Sequence, residues 1–144
     1  MKLEIARMGA RGDGEAETPD GVVHVPFTLP GETVNAAVIG HKGSVLSLLS
    51  PSQERASPAC RHFEACGGCN LQHWQQGPML VWKRQLVADA LAKRGIEANV
   101  LPVIGSGPGE RRRVTFSVRS EQGRTVSGFN AAHTHDIVEI SECP

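Results

Sequence analysis

The sequence predicts a mainly β protein with one helix, of the α+β class, divided into two small domains. Within residues 1–50, apolar side chains recur in four short runs separated by glycine-containing turns, a pattern typical of short strands. One later run, residues 79–95, has apolar residues at helical spacing, and three alternating runs follow it. With four Phe, two Trp and no Tyr in 144 residues, each domain is expected to be marginally stable without a crosslink.

The first domain is expected to be a small OB-like β-barrel. Its predicted strands are LEIARMGA, GVVHVPFTL, TVNAAVIG and SVLSLLS. Turn-forming residues lie between the strands, at positions 9–14, 20–21, 30–31 and 40–43. The segment PSQERASP then disfavours regular structure, because it contains two prolines and two serines. We therefore assign residues 1–52 to the barrel and residues 53–144 to a second domain, which could be incomplete at its C-terminus.

The second domain is expected to contain the helix and three further strands. The helical run is MLVWKRQLVADALAKRG. Pro78 suits the first turn of this helix, and Lys93 and Gly95 suit its last turn and its cap. The predicted strands are RRRVTFSVRS, RTVSGFN and HDIVEI, with a turn at residues 121–123 between the first two.

The cysteines are the most informative residues of the chain. Three of the four, Cys60, Cys66 and Cys69, fall within ten residues, and Cys143 lies 74 positions beyond Cys69. Structural zinc usually takes two short ligand pairs about twelve to twenty residues apart, whereas a compact group with one distant cysteine is common for iron–sulfur ligation. Disulfides are the third alternative, but the N-terminus shows no secretory signal, and thiols stay reduced in the cytoplasm. The spacing favours an iron–sulfur cluster in a cytoplasmic protein.

Composition and patterning exclude several classes of function. Fifteen basic residues balance fifteen acidic ones, so no global positive field points to a nucleic acid. No apolar run approaches the length that spans a bilayer. Gly105, Gly107 and Gly109 form a G-x-G-x-G pattern, but a predicted strand follows it rather than the helix N-terminus that binds a phosphate. We therefore predict no nucleotide-cofactor site in this chain.

Several segments in order resemble the S-adenosylmethionine-dependent RNA uracil-C5 methyltransferases. The segments that carry the resemblance are HVPFTLPGETV, SPACRHFEACGGCNLQHW, KRQLVADAL, GERRRVTFSV and HDIVEISECP. The resemblance implies that the first fifty or so residues form a TRAM domain, an RNA-binding barrel related to the OB-fold, and that the next domain holds a [4Fe–4S] cluster. The family's cluster ligands fall on Cys60, Cys66, Cys69 and Cys143.

The resemblance also implies that this chain is the N-terminal half of such an enzyme. The family's Rossmann-like catalytic domain, which carries S-adenosylmethionine, the nucleophilic cysteine and the general base, is expected to lie after Pro144 and to be absent here. Methylation at C5 of uracil requires a thiolate that adds at C6, and all four cysteines are assigned to the cluster. The chain alone is therefore expected to be inactive. Because versions with both a TRAM domain and a cysteine cluster resemble the 23S rRNA enzymes, 23S rRNA is the expected substrate.

The RNA-contacting residues are less clearly indicated by the sequence. Arg111 and Arg113 would share one face at the start of a predicted strand and could contact phosphates, although a charge run is usually a solvated surface. His73 lies beside the cluster loop and could stack on a base, although aromatic residues beside a cluster more often shield it. No protein partner and no membrane association is indicated. The alternative function is a freestanding RNA-binding module that holds an iron–sulfur cluster or zinc and performs no catalysis.

Overall fold

The computed structural model describes residues 1–107, 109–110, 113–132 and 134–143, and the structural statements below concern these residues. The described elements, in chain order, are β1 (Lys2–Glu4), β2 (Arg7–Met8), β3 (Gly14–Thr18), β4 (Gly21–Val25), β5 (Thr33–Ile39), β6 (Lys42–Ser50), α1 (Gln76–Ala92), β7 (Ser117–Glu121), β8 (Arg124–Asn130) and β9 (Ile137–Glu139). The predicted fold class, mainly β with one helix, is confirmed over this part of the chain.

The first six strands form one sheet that closes on itself. Its strand order is β1-β5-β6-β4-β3-β2, so the two edge strands are β1 and β2, which only Ile5 and Ala6 separate along the chain. The backbone continues the pairing across this bend, because the amide of Ile5 donates to the carbonyl of Glu32 and that of Ala6 donates to Glu15. One bent strand therefore bonds to both ends of the sheet and closes a barrel.

The barrel interior is filled by small and β-branched side chains. Alternation along each strand turns every second residue inward, and the buried cluster consists of Leu3, Ile5, Ala16, Val23, Val25, Val34 and Ala36. The barrel wall is weakest between β4 and β6, which pair at a single position, His24 with Lys42. Beyond that position, β6 pairs only with β5. An opening is therefore left in the wall beside the second half of β6.

Three barrel features differ from the sequence prediction. The predicted strand LEIARMGA consists of two short strands, β1 and β2, separated by the bend at Ile5 and Ala6. Strand β3, Gly14–Thr18, was not predicted, because Ala16 is the only apolar residue in Gly-Glu-Ala-Glu-Thr and gives almost no alternation. The predicted strand GVVHVPFTL is too long. It ends at Val25, since Pro26 has no amide to donate and Phe27 adopts a left-handed conformation with φ of 61°.

The segment after the barrel is fixed to it by a buried ion pair. Glu32 has no exposed surface, and its carboxylate accepts hydrogen bonds from the amides of Leu29 and Ser52 and from Arg55. Burial alone raises the pKa of Glu32, but the hydrogen bonds from Arg55, Ser52 and Leu29 outweigh it, so the pKa is lowered. Trp74 adds an apolar contact, because it packs with Met8 and Leu29.

Helix α1 has the predicted residues near its two ends, but the rest of the protein packs against little of its surface. Pro78 lies in its first turn, and Gly95, with φ of 70°, ends it in a Schellman arrangement in which Ile96 donates to the carbonyl of Leu91. No side chain of the helix is buried. Its N-terminal part contacts the barrel side through Met79 and Trp82, which pack against the cluster that contains Trp74. This helix is not long and apolar enough to cross a membrane.

Strands β7, β8 and β9 form a separate antiparallel sheet in that order. The predicted first strand, RRRVTFSVRS, begins only at Ser117. Residues 113–116 are not in a strand, and Arg111 lies outside the described residues. The chain exposes 10014 Å² of surface, against about 7,200 Å² expected for a compact monomer of this length. Apolar residues such as Val81, Leu101 and Ile104 contribute to the excess.

Candidate metal centre and RNA-contact residues

The fold brings all four cysteines to the wall of one cavity. This cavity has a volume of about 240 Å³, and its wall includes Cys60, Cys66, Cys69 and Cys143. Cys66 is buried, Cys60 is partly buried, and Cys69 and Cys143 are exposed. The cysteine triplet therefore meets the distant cysteine at a single site, although more than seventy residues separate them along the chain. We call this site the cysteine cavity.

The backbone of the loop that carries the cysteine triplet, residues 60–69, donates hydrogen bonds to two of the loop's own sulfur atoms. The amide of His62 donates to Sγ of Cys60 at 3.4 Å, and the amide of Gly68 donates to Sγ of Cys66 at 3.3 Å. A further bond, from the amide of Cys66 to the carbonyl of His62, closes a turn between the first two cysteines. Hydrogen bonds to the ligand sulfurs are among the features by which proteins tune bound iron–sulfur clusters.

Two glycines let this loop approach strand β8 closely. A Cβ atom on Gly67 would lie 2.7 Å from the carbonyl oxygen of Asn130, and one on Gly68 would lie 3.3 Å from the ring of Phe129. The amide of Gly67 donates to that same carbonyl of Asn130 at 2.9 Å. A side chain at position 67 would therefore force the loop away from the sheet that leads to Cys143.

The segment that carries Cys143 is held against the loop by Arg61. Its guanidinium donates to the hydroxyl of Ser141 and forms an ion pair with Glu142 at 3.6 Å. Both charged side chains of the ion pair are mostly exposed, so the pair contributes little stability by itself. The ion pair instead helps to position the chain. It holds the residues just before Cys143 next to Arg61, which directly follows Cys60.

The donor set of the cysteine cavity consists of cysteine thiols, which is the donor chemistry that an iron–sulfur cluster takes. Cys60, Cys66 and Cys69 form no disulfide. Among the residues that the structure describes, no group of three or more His, Cys, Asp or Glu side chains is arranged to hold one metal ion. Zinc requires four ligand atoms about 2.0–2.3 Å from a single point, whereas an iron–sulfur cluster takes four cysteine thiolates at separate positions on a larger group. Four cysteines on the wall of one cavity supply the number and type of ligands that such a cluster requires.

His73, a predicted RNA contact, lies inside the protein. It is 1% exposed, and its ring centroid lies 5.7 Å from that of Phe63 and 6.2 Å from that of Phe27. Its Nδ1 has no hydrogen-bond partner among the described residues. Burial, with the charge of Arg55 adding to it, lowers the pKa of His73, so the ring is neutral. A contact of His73 with RNA stays a prediction, and it would require this packing to open.

The structure describes only one of the two arginines that were predicted to contact RNA. Arg111 falls outside the described part of the chain, and Arg113 is exposed ahead of β7. The alternation that would have placed both on one strand face does not apply to Arg113, since it is not in a strand. Contact with RNA phosphates stays a prediction for both residues.

Arg55 is an important residue that the sequence analysis did not single out. Its Nε and Nη2 donate to the carboxylate of Glu32 at 2.6 and 2.7 Å, and Nη2 also donates to the carbonyl of Phe27 at 2.8 Å. Nothing in the segment PSQERASP distinguishes this arginine from a solvated linker residue. Arg55 has a structural role because its partner, Glu32, is buried, and that burial depends on the closed barrel.

Comparison with known proteins gives matches over nearly the whole chain, although no protein-family model matches it. An uncharacterized RNA methyltransferase of Brucella suis is 49% identical over 99% of this chain and 34% of its own length. An uncharacterized RNA methyltransferase of Agrobacterium fabrum is 44% identical over 99% of the chain and 36% of its own length. The 23S rRNA (uracil(1939)-C(5))-methyltransferase RlmD of Halomonas elongata is 36% identical over 99% of the chain and 32% of its own length.

The chain spans about a third of the length of these curated relatives. Identities of 36 to 49% over almost all of its residues include the barrel, the cysteine loop and the second sheet. Together these matches identify the chain as a homologue of proteins named RNA methyltransferases, with which it shares about a third of their length.

Proposed function

We propose that this chain is the RNA-targeting part of an S-adenosylmethionine-dependent RNA methyltransferase that methylates C5 of a uracil in 23S rRNA. The observation that carries the proposal is the match over 99% of the chain to relatives named RNA methyltransferases, one of which is named for uracil C5 of 23S rRNA. In this proposal, residues 1–50 act as a TRAM-type RNA-binding barrel. The catalytic domain and its methyl donor lie outside these 144 residues.

The chemistry of the reaction supports this division of labour. Methylation at C5 needs a thiolate that adds to C6 of uracil and a base that then removes the C5 proton. All four cysteines of the chain line the cysteine cavity, so none is available elsewhere as a nucleophile. His73, the most buried of the described histidines, has no access to a substrate in this packing. The reacting groups are therefore expected to come from outside these residues.

We propose further that Cys60, Cys66, Cys69 and Cys143 hold a [4Fe–4S] cluster. The support is the donor set of four thiols on one cavity wall, with amide donors to two of the sulfurs. A bound cluster would supply a covalent crosslink between the cysteine loop and the end of the second sheet, and methyl transfer requires no redox step from it. The residues of the chain supply the positions of the ligands, through Gly67 against β8 and Arg61 against Ser141 and Glu142.

Metal analysis tests the cluster. Protein prepared without oxygen is expected to be brown and to contain about four iron and four sulfide per chain. Cys66→Ser should remove the colour, whereas Ser47→Ala, at an exposed position of β6, should not. Stoichiometric zinc without sulfide would contradict the cluster and would favour a zinc-binding module instead.

Two measurements test the RNA part of the proposal. The 144-residue chain should bind single-stranded 23S rRNA fragments with an affinity that falls as salt rises, and each lost arginine contact should lower the slope by roughly 0.7. Arg113→Ala is the test variant, and Arg94→Ala, at the exposed end of α1, is the control. Labelled methyl groups should not be transferred by this chain. Transfer, or binding that does not respond to salt, would refute the assignment.

A further inference from the structure

A second cavity lies at the opening between β4 and β6. Its volume is about 400 Å³, within the range of small-ligand pockets, and we call it the junction cavity. Five chain segments contribute to its wall: the loop after β4, strands β5 and β6, the linker and the cysteine loop. Its lining residues include Phe27, Val45, Leu48, Arg55 and Glu64. None of these residues takes part in the cysteine cavity.

Arg55 is held rigidly at this cavity. Its hydrogen bonds to Glu32 and to the carbonyl of Phe27 fix the guanidinium. Because the donors of a guanidinium lie in its plane, a group with most donors occupied still offers its flat face to a ligand. Arginine planes and aromatic rings are the groups on which proteins stack unpaired bases.

Phe27 and Glu64 reach the junction cavity from unusual backbone conformations. Their φ angles are 61° and 73°, in the left-handed region that non-glycine residues seldom adopt. The third described residue of this kind, Gln122, lies in the turn between β7 and β8, where such angles are ordinary. Two strained residues at one cavity favour a functional origin for the strain. The ring of Phe27 is also held by an edge contact with Phe63 at 5.2 Å.

The charges at the cavity disfavour a phosphate. The charge of Arg55 is compensated by the buried carboxylate of Glu32, and Glu64 adds a negative charge to the wall. A carboxylate accepts hydrogen bonds and cannot donate them at neutral pH. The cavity therefore combines apolar walls from Val45 and Leu48 with a hydrogen-bond acceptor and two flat groups.

We propose that the junction cavity binds one base of a single-stranded RNA segment, with a preference for a base that carries an exocyclic amino group. The inference rests on the proposed RNA-binding function and deepens it. Adenine, cytosine and guanine can donate an amino proton to Glu64. The only ring donor of uracil, its N3–H, lies between two carbonyl oxygens, which a carboxylate repels. The base stacks against Phe27 or Arg55, and its phosphates stay outside the cavity.

Filling the cavity tests the proposal. Leu48→Trp places an indole in the cavity, and Leu46→Trp is the matched control, because Leu46 lies on the same strand, is 71% exposed and does not line the cavity. Binding of labelled oligoadenylate and oligouridylate is measured by fluorescence anisotropy at one salt concentration. The parent should prefer oligoadenylate, and Leu48→Trp should weaken oligoadenylate binding about tenfold, the loss expected for one stacked base. Glu64→Gln should reduce the preference between the two oligonucleotides.

The outcomes separate this inference from the function on which it rests. If the parent binds RNA but Leu48→Trp binds as the parent and Leu46→Trp do, the cavity is not a base site, and RNA binding itself still stands. If the parent binds no RNA at low salt, both proposals fail. Methyl NMR signals of Val45 and Leu48 in the unmutated chain should shift on addition of oligoadenylate. No shift at saturation would overturn the base site even if the tryptophan variant does not fold.

Discussion

The replacement Arg55→Met would remove the cation that compensates a buried carboxylate. Glu32 has no exposed surface and accepts two backbone hydrogen bonds besides those from Arg55, so the variant leaves it buried without a charged partner. Breaking such a pair costs about 3–5 kcal/mol. Since the side chain of Arg55 is itself 24% exposed, we expect the lower end, about 3 kcal/mol. That is a large part of the 5–15 kcal/mol typical of a whole domain.

Urea unfolding followed by tryptophan fluorescence would measure this loss. Trp74 packs with Met8 and Leu29 at the junction with the barrel, and its indole N–H donates to Glu54, so its emission reports on this region. With a slope of about 2 kcal/mol per molar urea, a loss of 3 kcal/mol lowers the midpoint by about 1.5 M. Arg124→Met is the control, because its pair with Glu139 is exposed on both sides and should cost at most about 1 kcal/mol.

The pH dependence of the same variant gives an independent check. In the parent the pKa of Glu32 is lowered, so its contribution to stability is present above the unfolded pKa and is lost as pH falls through the folded one. Without Arg55 the main cause that lowers this pKa is lost while burial remains, so the variant should lose less stability than the parent as pH falls. The double variant Glu32→Gln with Arg55→Met should recover part of the loss. A midpoint shift no larger than that of Arg124→Met would refute the reasoning.

Three further predictions concern the second domain and the aromatic cluster. Gly67→Ala should destabilise the chain by about 1–3 kcal/mol, because its Cβ would meet the β8 backbone at 2.7 Å. Gly77→Ala is the control, since it has nothing within 4 Å and lies in the first turn of α1, so it should be neutral or slightly stabilising in the same thermal melts. In reconstituted protein, Cys143→Ser should remove a loop closure that contributes on the order of 4 kcal/mol to stability. Hydrogen exchange should then accelerate in β7 to β9 while the barrel stays protected. A melted barrel would contradict the division into domains. Burial lowers the pKa of His73 below its usual 6.5. The free energy of unfolding should therefore be largest above pH 6.5 and should fall as the pH drops through the lowered pKa. A urea midpoint that does not change between pH 7 and pH 5 would show that the ring is not buried in solution.

Local signals in the sequence were sufficient for most elements of the fold. The helix was predicted because Pro78 and Gly95 mark its two ends, and both lie where the structure needs them. Strand β3 was missed because it holds a single apolar residue, Ala16, and its neighbours make it a strand. A pairing that depends on partners far along the chain leaves little trace in local composition.

The candidate sites show the same division between local and long-range information. The cysteine spacing identified the four residues that line one cavity, since only the residue types and their order were needed. The burial of His73 and the role of Arg55 depend on how the linker packs on the closed barrel. The junction cavity is formed by five segments between residue 26 and residue 64, and none of them carries a motif.

The bent strand that closes the barrel has a consequence for how the chain is made and handled. Strand β1 pairs with Thr33–Ile39, far along the chain, so it cannot pair until that segment has been synthesised. The amino group of Met1 also donates to the carbonyl of Ala36. An affinity tag fused directly before Met1 would therefore be attached to a paired strand of the barrel rather than to a loose end.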